Sequence, residues 1–199
     1  LAQTLHTLRA AGLRCVGAGE DEAAAWAPVR IALGGGAQAL VFALAFGDAG
    51  IPADWAATPR RAGVAWLEAP TTDAAARWIA HIERHRRAGD IVVASVHWGA
   101  NWVERIPAAQ RDFAARMVAS GAVDVLHGHS SHHPLPIDVV RGRALLYGCG
   151  DLINDYEGIG PHGRWRLWPV HVVWGTDRVR AARAPSSGAD LRTLQRLTA

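Results

Sequence analysis

The stretch DIVVASVHWGANWVERIPAAQRDFAARMVASGAVDVLHGHSSHH, residues 90–133, decides the fold of this 199-residue chain. It opens with an apolar run, 90–96, that has the length and composition of a buried strand. Pro107 then suits the first turn of a helix that ends near Gly121, and 122–126 is a second apolar run. Consecutive strands joined by one helix are expected to be parallel, so the stretch predicts a βαβ unit and an α/β fold.

The chain on either side of this unit continues the α/β pattern. The apolar run 39–46 predicts another strand buried on both faces, and 71–88 predicts a helix with Trp78 and Ile82 on its buried face. The segment 47–70 has no clear period and predicts an irregular loop. Further elements are predicted as follows: helices at 1–11, 20–30 and 189–198, a strand at 13–16, and antiparallel hairpins at 137–147 and 168–182.

Composition limits the class of protein. Half of the residues are apolar and 20% are charged, as in a globular domain, and we expect one domain over residues 1–199. The two cysteines form no CxxC motif, which excludes a disulfide scaffold. All 21 basic residues are arginine and they are scattered, so a net charge of +3 does not indicate nucleic-acid binding. No signal peptide or membrane span is visible, and the sequence leaves localisation, membrane association and oligomeric state open.

Histidines follow both strands of the βαβ unit. Four of the ten histidines fall in HGHSSHH, 127–133, and His97 follows the preceding strand. The carboxyl ends of parallel strands meet at one edge, where open α/β sheets bind ligands. Neutral imidazole binds zinc at about 2.0–2.1 Å, so the pattern predicts a metal site with the ligands His97, His129 and His132. The alternatives are a histidine-rich surface loop and a hydrogen-bonded structural His97.

The motifs also resemble a known family. HWG at 97–99, GHSSH at 128–132 and PIDVVRGRALLYGCGD at 136–151 are similar to the CapA family, the poly-γ-glutamate capsule synthesis proteins. The resemblance covers about residues 1–157. It implies the calcineurin-like metallophosphatase fold, and therefore part of a four-layer α/β/β/α sandwich, with parallel strands followed by antiparallel hairpins.

In that superfamily a pair of divalent cations is held by an early aspartate, a bridging carboxylate, an Asn-His segment, a middle histidine and a final Gly-His-x-His loop. The resemblance matches His97 to the middle histidine, and His129 and His132 to the final loop. The other ligands have no counterpart here, which implies a carboxyl-terminal portion of a longer protein. The chain also departs from the family at Asn101, where many members carry an acid, and at Asp151, where Asn is frequent.

Four more residues are candidates for contact with the substrate or for support of the metal ligands. They are His127 and His133 in the histidine loop, and Asp151 and Asn154 after Gly150. The alternative for each is a packing, surface or loop role. His81 and His85 are one helical turn apart, but the neighbouring arginines favour a packing or solvated role over a zinc pair.

The resemblance implies a metal-dependent phosphoesterase-type hydrolase that acts in poly-γ-glutamate or capsule and envelope polymer synthesis. Its cofactors would be divalent ions, Mn, Fe or Zn, two of them in the intact protein, and its substrate a phosphoester or an envelope polymer. Two other classes stay open. One is a mononuclear three-histidine zinc hydrolase, and the other is a non-catalytic binding or assembly module of the same fold.

Overall fold

The computed structural model describes residues 1–103, 105–151, 170–173 and 180–183. The α-helices in these ranges are α1 (Ala2–Ala10), α2 (Glu22–Trp26), α3 (Thr72–Glu83) and α4 (Ala108–Ala119). The strands are β1 (Ala18–Gly19), β2 (Val29–Gly34), β3 (Ala37–Phe46), β4 (Gly63–Val64), β5 (Trp66–Leu67), β6 (Ile91–His97), β7 (Val125–His129), β8 (Ile137–Val140), β9 (Arg143–Leu146), β10 (Val170–Val173) and β11 (Arg180–Arg183). The fold is therefore mixed α/β, as the sequence predicts.

A mixed sheet positions the histidines. Among the described residues it has seven strands in the order β2-β3-β6-β7-β9-β8, with β5 paired to the end of β3. The pairs β3–β6, β6–β7 and β7–β9 are parallel, whereas the outer pairs β2–β3 and β8–β9 are antiparallel. Four adjacent strands therefore end at the same edge of the sheet. The predicted βαβ unit, 90–133, and the hairpin at 137–147 are both confirmed.

The two faces of the sheet differ in burial. Alternate side chains of β3, β6 and β7 pack with α3 and α4 in one apolar core, in which Trp78 stacks on Phe113 at 6.1 Å between ring centroids. The residues between them on each strand are only half-buried, Ser95 and His97 among them. The expectation that β3 is buried on both faces is thus wrong, because burial alternates along the strand. The half-buried face can carry polar side chains without disturbing the core.

The first half of the chain departs from the sequence-based expectation at two places. The helix predicted over 20–30 is the short α2, and its last predicted residues belong to β2. Alanine favours helix locally, but pairing of β2 with β3 along the sheet edge overrides that preference. The strand predicted at 13–16 is wrong, because these residues have no regular secondary structure.

Two other predictions differ from the structure in detail, one at the start of a strand and one in a segment predicted to be a loop. Strand β7 begins three residues later than expected, at Val125, so that His127 and His129 lie within the strand rather than in the loop after it. The segment predicted as an irregular loop, 47–70, contains two short 3-10 turns and the short strands β4 and β5.

The chain divides into two compact units, Leu1–Asp151 and Leu152–Ala199. In the second unit β10 and β11 pair antiparallel, which confirms the predicted hairpin. The helix predicted at 189–198 lies outside the described residues. A single domain over residues 1–199 stays a prediction. No helix in the described residues is both long and apolar enough to span a membrane.

Candidate metal centre

His97 and His129 stand side by side at the carboxyl edge of the sheet. They are the last residues of β6 and β7, and the parallel register pairs them directly. Their Nδ1 atoms are 3.1 Å apart, and their ring centroids are 5.1 Å apart. Sequence spacing and sheet topology together are enough to bring these two predicted ligands into contact.

Burial keeps both imidazoles neutral. It lowers the pKa of His129 to about 4, and the neighbouring His97 and His127 add to the effect because a second positive charge there is unfavourable. Burial also lowers the pKa of His97, opposed by the negative charge of Asp48. Neutral imidazole is the form that binds metal ions.

A serine links His129 to His127. Ser95 Oγ lies 3.1 Å from His129 Nε2 and 3.4 Å from His127 Nδ1. Ser95 and His127 are register partners, and all three side chains lie on the half-buried face of the sheet. His127, a candidate for contact with substrate or support of the ligands, therefore lies beside His129, with 5.5 Å between their ring centroids, and opposite Ser95 on the neighbouring strand.

Asp48 fixes the loop that follows His97. One carboxylate oxygen accepts a hydrogen bond from Gly99 N at 3.1 Å, and the other accepts from Gln110 Nε2 at 3.3 Å. Gln110 lies in α4 and is 2% exposed. Gly99 has φ +69°, and a Cβ there would collide with Gln110 Nε2. One carboxylate thus joins the end of β3, the HWG loop and α4.

The two histidine loops are joined by a series of hydrogen bonds. Trp98 N donates to His129 O at 3.1 Å, and His132 N donates to Asn101 O at 2.9 Å. Between these, Ser130 Oγ donates to Gly99 O at 3.0 Å. Ser130 adopts φ 120°, a conformation that is strained for a residue with a side chain. The loops therefore hold each other in place.

His132 and His133 lie in a separate group around Trp102. The indole of Trp102, which is 64% exposed, stacks on both rings at 5.6 and 5.8 Å between centroids. His132 Nδ1 is 2.9 Å from Asp151 Oδ2, and His133 Nε2 accepts from Val103 N at 3.1 Å. That His132 shares a cation with His97 and His129 stays a prediction. Asn154 lies outside the described residues.

The donor set fits part of a metal site. Two nitrogen ligands at about 2.0–2.1 Å from one cation are about 2.9–3.4 Å apart, depending on the coordination geometry. The separation of 3.1 Å between the Nδ1 atoms of His97 and His129 lies in this range. In the described ranges no group of three or more His, Cys, Asp or Glu side chains is arranged to hold an ion. Of the three predicted ligands, the structure thus brings two, His97 and His129, into contact.

Sequence reasoning did not select Asp48 or Ser95, although signals for both are present. Asp48 follows the predicted strand 39–46, whose carboxyl end shares an edge with that of the next parallel strand. Ser95 lies two residues before His97, and side chains two apart on a strand share a face. Reading each strand for polar residues on the histidine face would have found both.

His81 and His85 do not form a metal pair in the structure. The His81 ring lies edge-on to Trp26 and Phe42, and its Nε2 donates to Trp26 O at 2.9 Å. The other ring nitrogen, Nδ1, is 3.2 Å from a guanidinium nitrogen of Arg84, so it accepts a hydrogen bond. Nε2 thus joins α3 to α2, whereas Nδ1 is bonded to the residue that caps the end of α3.

Comparison with known proteins gives a family match. A family model described as bacterial capsule synthesis protein PGA_cap matches residues 1–156. Two proteins of Mycobacterium tuberculosis strains, each named as a probable polyglutamine synthesis accessory protein, are 41% identical to the chain over 167 residues. That match covers 83% of this chain and 44% of each relative, so the chain spans less than half of their length.

A third relative is the PGA biosynthesis protein CapA of Bacillus subtilis. It is 33% identical over 78 residues, which cover 39% of this chain and 20% of the relative.

Proposed function

Because the chain belongs to the bacterial capsule synthesis protein PGA_cap family, we propose that it serves capsule or poly-γ-glutamate synthesis as a metal-dependent hydrolase of phosphoesters. The names of the mycobacterial and Bacillus relatives support the biosynthetic part of this proposal. The hydrolytic part is supported by one observation above all, the contact between His97 and His129 at the edge where parallel strands end. Its substrate would be a phosphoester of, or linked to, an envelope polymer.

His97 and His129 would hold a divalent ion, Mn, Fe or Zn, through neutral imidazole nitrogens. The remaining ligands, and those of a second ion, would come from other parts of the full protein, since the relatives are more than twice as long as the matched region. Such an ion supplies Lewis-acid activation of a water molecule and of a phosphoryl oxygen.

The surrounding residues would orient the ligands and contact the substrate. Asp48 holds the HWG loop, and therefore the end of β6 that carries His97. Asp151 Oδ2 accepts a hydrogen bond from His132 Nδ1, so that in the neutral ring the lone pair is on Nε2, the arrangement by which carboxylates orient ligating histidines. The exposed face of Trp102 lies beside His132 and His133, where it would form a wall of the substrate site.

The proposal is tested on the full-length protein with His97→Ala and His129→Ala, and with His6→Ala as the matched control. His6 is an exposed histidine of α1. We expect both site variants to lose bound metal, as measured by elemental analysis, and to hydrolyse bis(p-nitrophenyl) phosphate more than about 100-fold more slowly. This magnitude follows because Lewis-acid stabilisation is worth several kcal/mol and about 1.4 kcal/mol is tenfold in rate. Wild-type metal content and rate in both variants would refute the site.

A second candidate is a non-catalytic binding module of the same fold. It is favoured by the lack of a third ligand beside His97 and His129 in the described residues. A full-length protein that binds no metal, and hydrolyses no phosphoester when Mn, Fe or Zn is added, would support this candidate over the hydrolase.

A further inference from the structure

Ser95 occupies a central place on the half-buried face of the sheet. It lies on β6, between the two parallel neighbours β3 and β7, two residues before His97. Its hydroxyl is within hydrogen-bonding distance of His129 Nε2, at 3.1 Å, and of His127 Nδ1, at 3.4 Å. A hydroxyl donates one hydrogen bond and accepts others, so Ser95 can donate to only one of the two rings.

The direction of these hydrogen bonds decides the proton position on His129. If His129 donates from Nε2 to Ser95, the Ser95 hydroxyl donates to His127, and His129 Nδ1 carries a lone pair. If Ser95 donates to His129 Nε2 instead, the proton of the neutral ring is on Nδ1. Only the first arrangement leaves a lone pair facing His97 Nδ1, which is 3.1 Å away.

We propose that Ser95 is a positioning residue that holds the His129 proton on Nε2 and thereby directs the His129 Nδ1 lone pair toward His97. In the metal-free protein, His97 then donates from Nδ1 to His129 Nδ1. The functional meaning of this arrangement rests on the metal site proposed above. With its proton on Nε2, His129 can bind the ion through Nδ1 without rearrangement of the ring.

The geometry makes Ser95 suitable for this role. Its place on the central strand β6, with hydrogen-bonded strands on both sides, fixes its backbone. The hydroxyl is on the same face as both histidines, and the paired register of Ser95 with His127 sets the distance between them. Partners that orient ligating histidines typically change metal affinity by about 10–100-fold when they are removed.

The first measurement is Zn²⁺ affinity of the full-length protein by isothermal titration calorimetry. We expect Ser95→Ala to weaken binding by about 10–100-fold and Ser95→Thr, which keeps the hydroxyl, to bind within a few-fold of wild type. Ser120→Ala is the matched control, because it removes a hydroxyl that also makes two hydrogen bonds, at the end of α4. It is expected to leave affinity unchanged. Equal affinities of wild type and Ser95→Ala would overturn the proposal.

The second measurement separates this proposal from the metal site. In metal-free protein labelled with ¹⁵N-histidine, NMR reports which nitrogen of His129 is protonated. We expect Nε2–H in wild type and Ser95→Thr, and a mixture of both tautomers in Ser95→Ala. If wild type binds no Zn²⁺ but shows this pattern, the metal site is wrong and the positioning role stands. A His129 proton on Nδ1 in wild type would overturn the positioning role.

Discussion

At the scale of single residues, Gly99 is a position where the candidate site has no room for a side chain unless Gln110 moves. Its φ is +69°, and a Cβ at this position would collide with Gln110 Nε2, so a side chain forces the buried amide away from Asp48. Gly89 has φ +85°, but a Cβ there would have nothing within 4 Å. A comparison of alanine substitutions at the two glycines therefore distinguishes the cost of backbone strain from the cost of the collision with Gln110.

We expect Gly89→Ala to lower the free energy of unfolding by about 1–2 kcal/mol, the cost of the left-handed conformation for alanine. Gly99→Ala should lower it by a further amount of about 1–3 kcal/mol, the cost of an unpaired buried polar group. Urea unfolding of both variants measures the difference. Equal losses would show that Gln110 moves without cost.

Asp48 is the second residue with a specific expectation. Asp48→Ala removes both acceptors of its carboxylate and leaves the buried amide of Gln110 unpaired, so we expect a loss of about 1–3 kcal/mol in the free energy of unfolding. Asp54→Ala, at an exposed position in the same segment, is the control. Because Gly99→Ala breaks the same contact, the double variant Asp48→Ala/Gly99→Ala should lose less than the sum of the two. Strict additivity would contradict this coupling.

At the scale of secondary-structure elements, the hydrophobic pattern was sufficient to predict an element where its packing in the fold agrees with the local helix or strand preference of its residues. The helix predicted over 71–88 is confirmed as α3, which ends at Glu83, because Trp78 and Ile82 recur at helical spacing toward the core and the Thr71 side chain caps its first turn. The strand β2 was missed because its sequence follows an alanine-rich run, and only its pairing with β3 makes it a strand. A local signal for this pairing was present, because Gly35 and Gly36 join the two strands and a Gly-Gly connection is typical of a β-hairpin.

In the candidate site, too, some features were predictable from the sequence and others were not. That His97 and His129 meet was predictable from the order of parallel strands alone. The position of His132 was not, because it depends on the Trp102 stack, the Asp151 contact and the strained backbone of Ser130. These are side-chain arrangements in loops, which a strand and helix pattern does not determine.

A hydrogen bond from His81 joins α3 to the last residue of α2, and we expect the protonation of this histidine to affect the stability of the fold. Burial lowers the pKa of His81 below its usual 6.5, opposed by its hydrogen bond to Trp26 O and aided by the charges of His85 and Arg84. The native state therefore binds fewer protons than the unfolded state, and stability is full above pH 6.5 and falls as the pH drops through the lowered pKa.

We expect His81→Gln, which keeps a donor for Trp26 O, to flatten the fall in unfolding free energy below about pH 6.5. Urea unfolding of wild type and variant across pH 5–8 measures this, with His6→Ala as the control that keeps the wild-type slope. The same slope in His81→Gln and wild type would show that other groups cause the loss.

At the scale of the whole molecule, the two faces of the sheet differ in role: one packs into the core that stabilises the fold, and the other carries the candidate site. Helices α3 and α4 and one face of the strands supply the apolar core, whereas Ser95, His97 and His129 lie on the other, half-buried face. Removal of a histidine from that face creates no cavity in the core. We therefore expect His97→Ala and His129→Ala to stay folded, so that a loss of metal binding in either variant can be attributed to the missing histidine.

This division gives the last prediction, which concerns global stability. A ligand that binds only the folded state stabilises it by about 2.7 kcal/mol at 100 times its dissociation constant. We therefore expect Zn²⁺ to raise the unfolding free energy of the full-length protein, and a chelator to reverse the gain. His97→Ala and His129→Ala should keep near wild-type stability without metal and lose the Zn²⁺-dependent gain, whereas His6→Ala should keep it. The same gain in His129→Ala as in wild type would place the stabilising ion elsewhere on the protein.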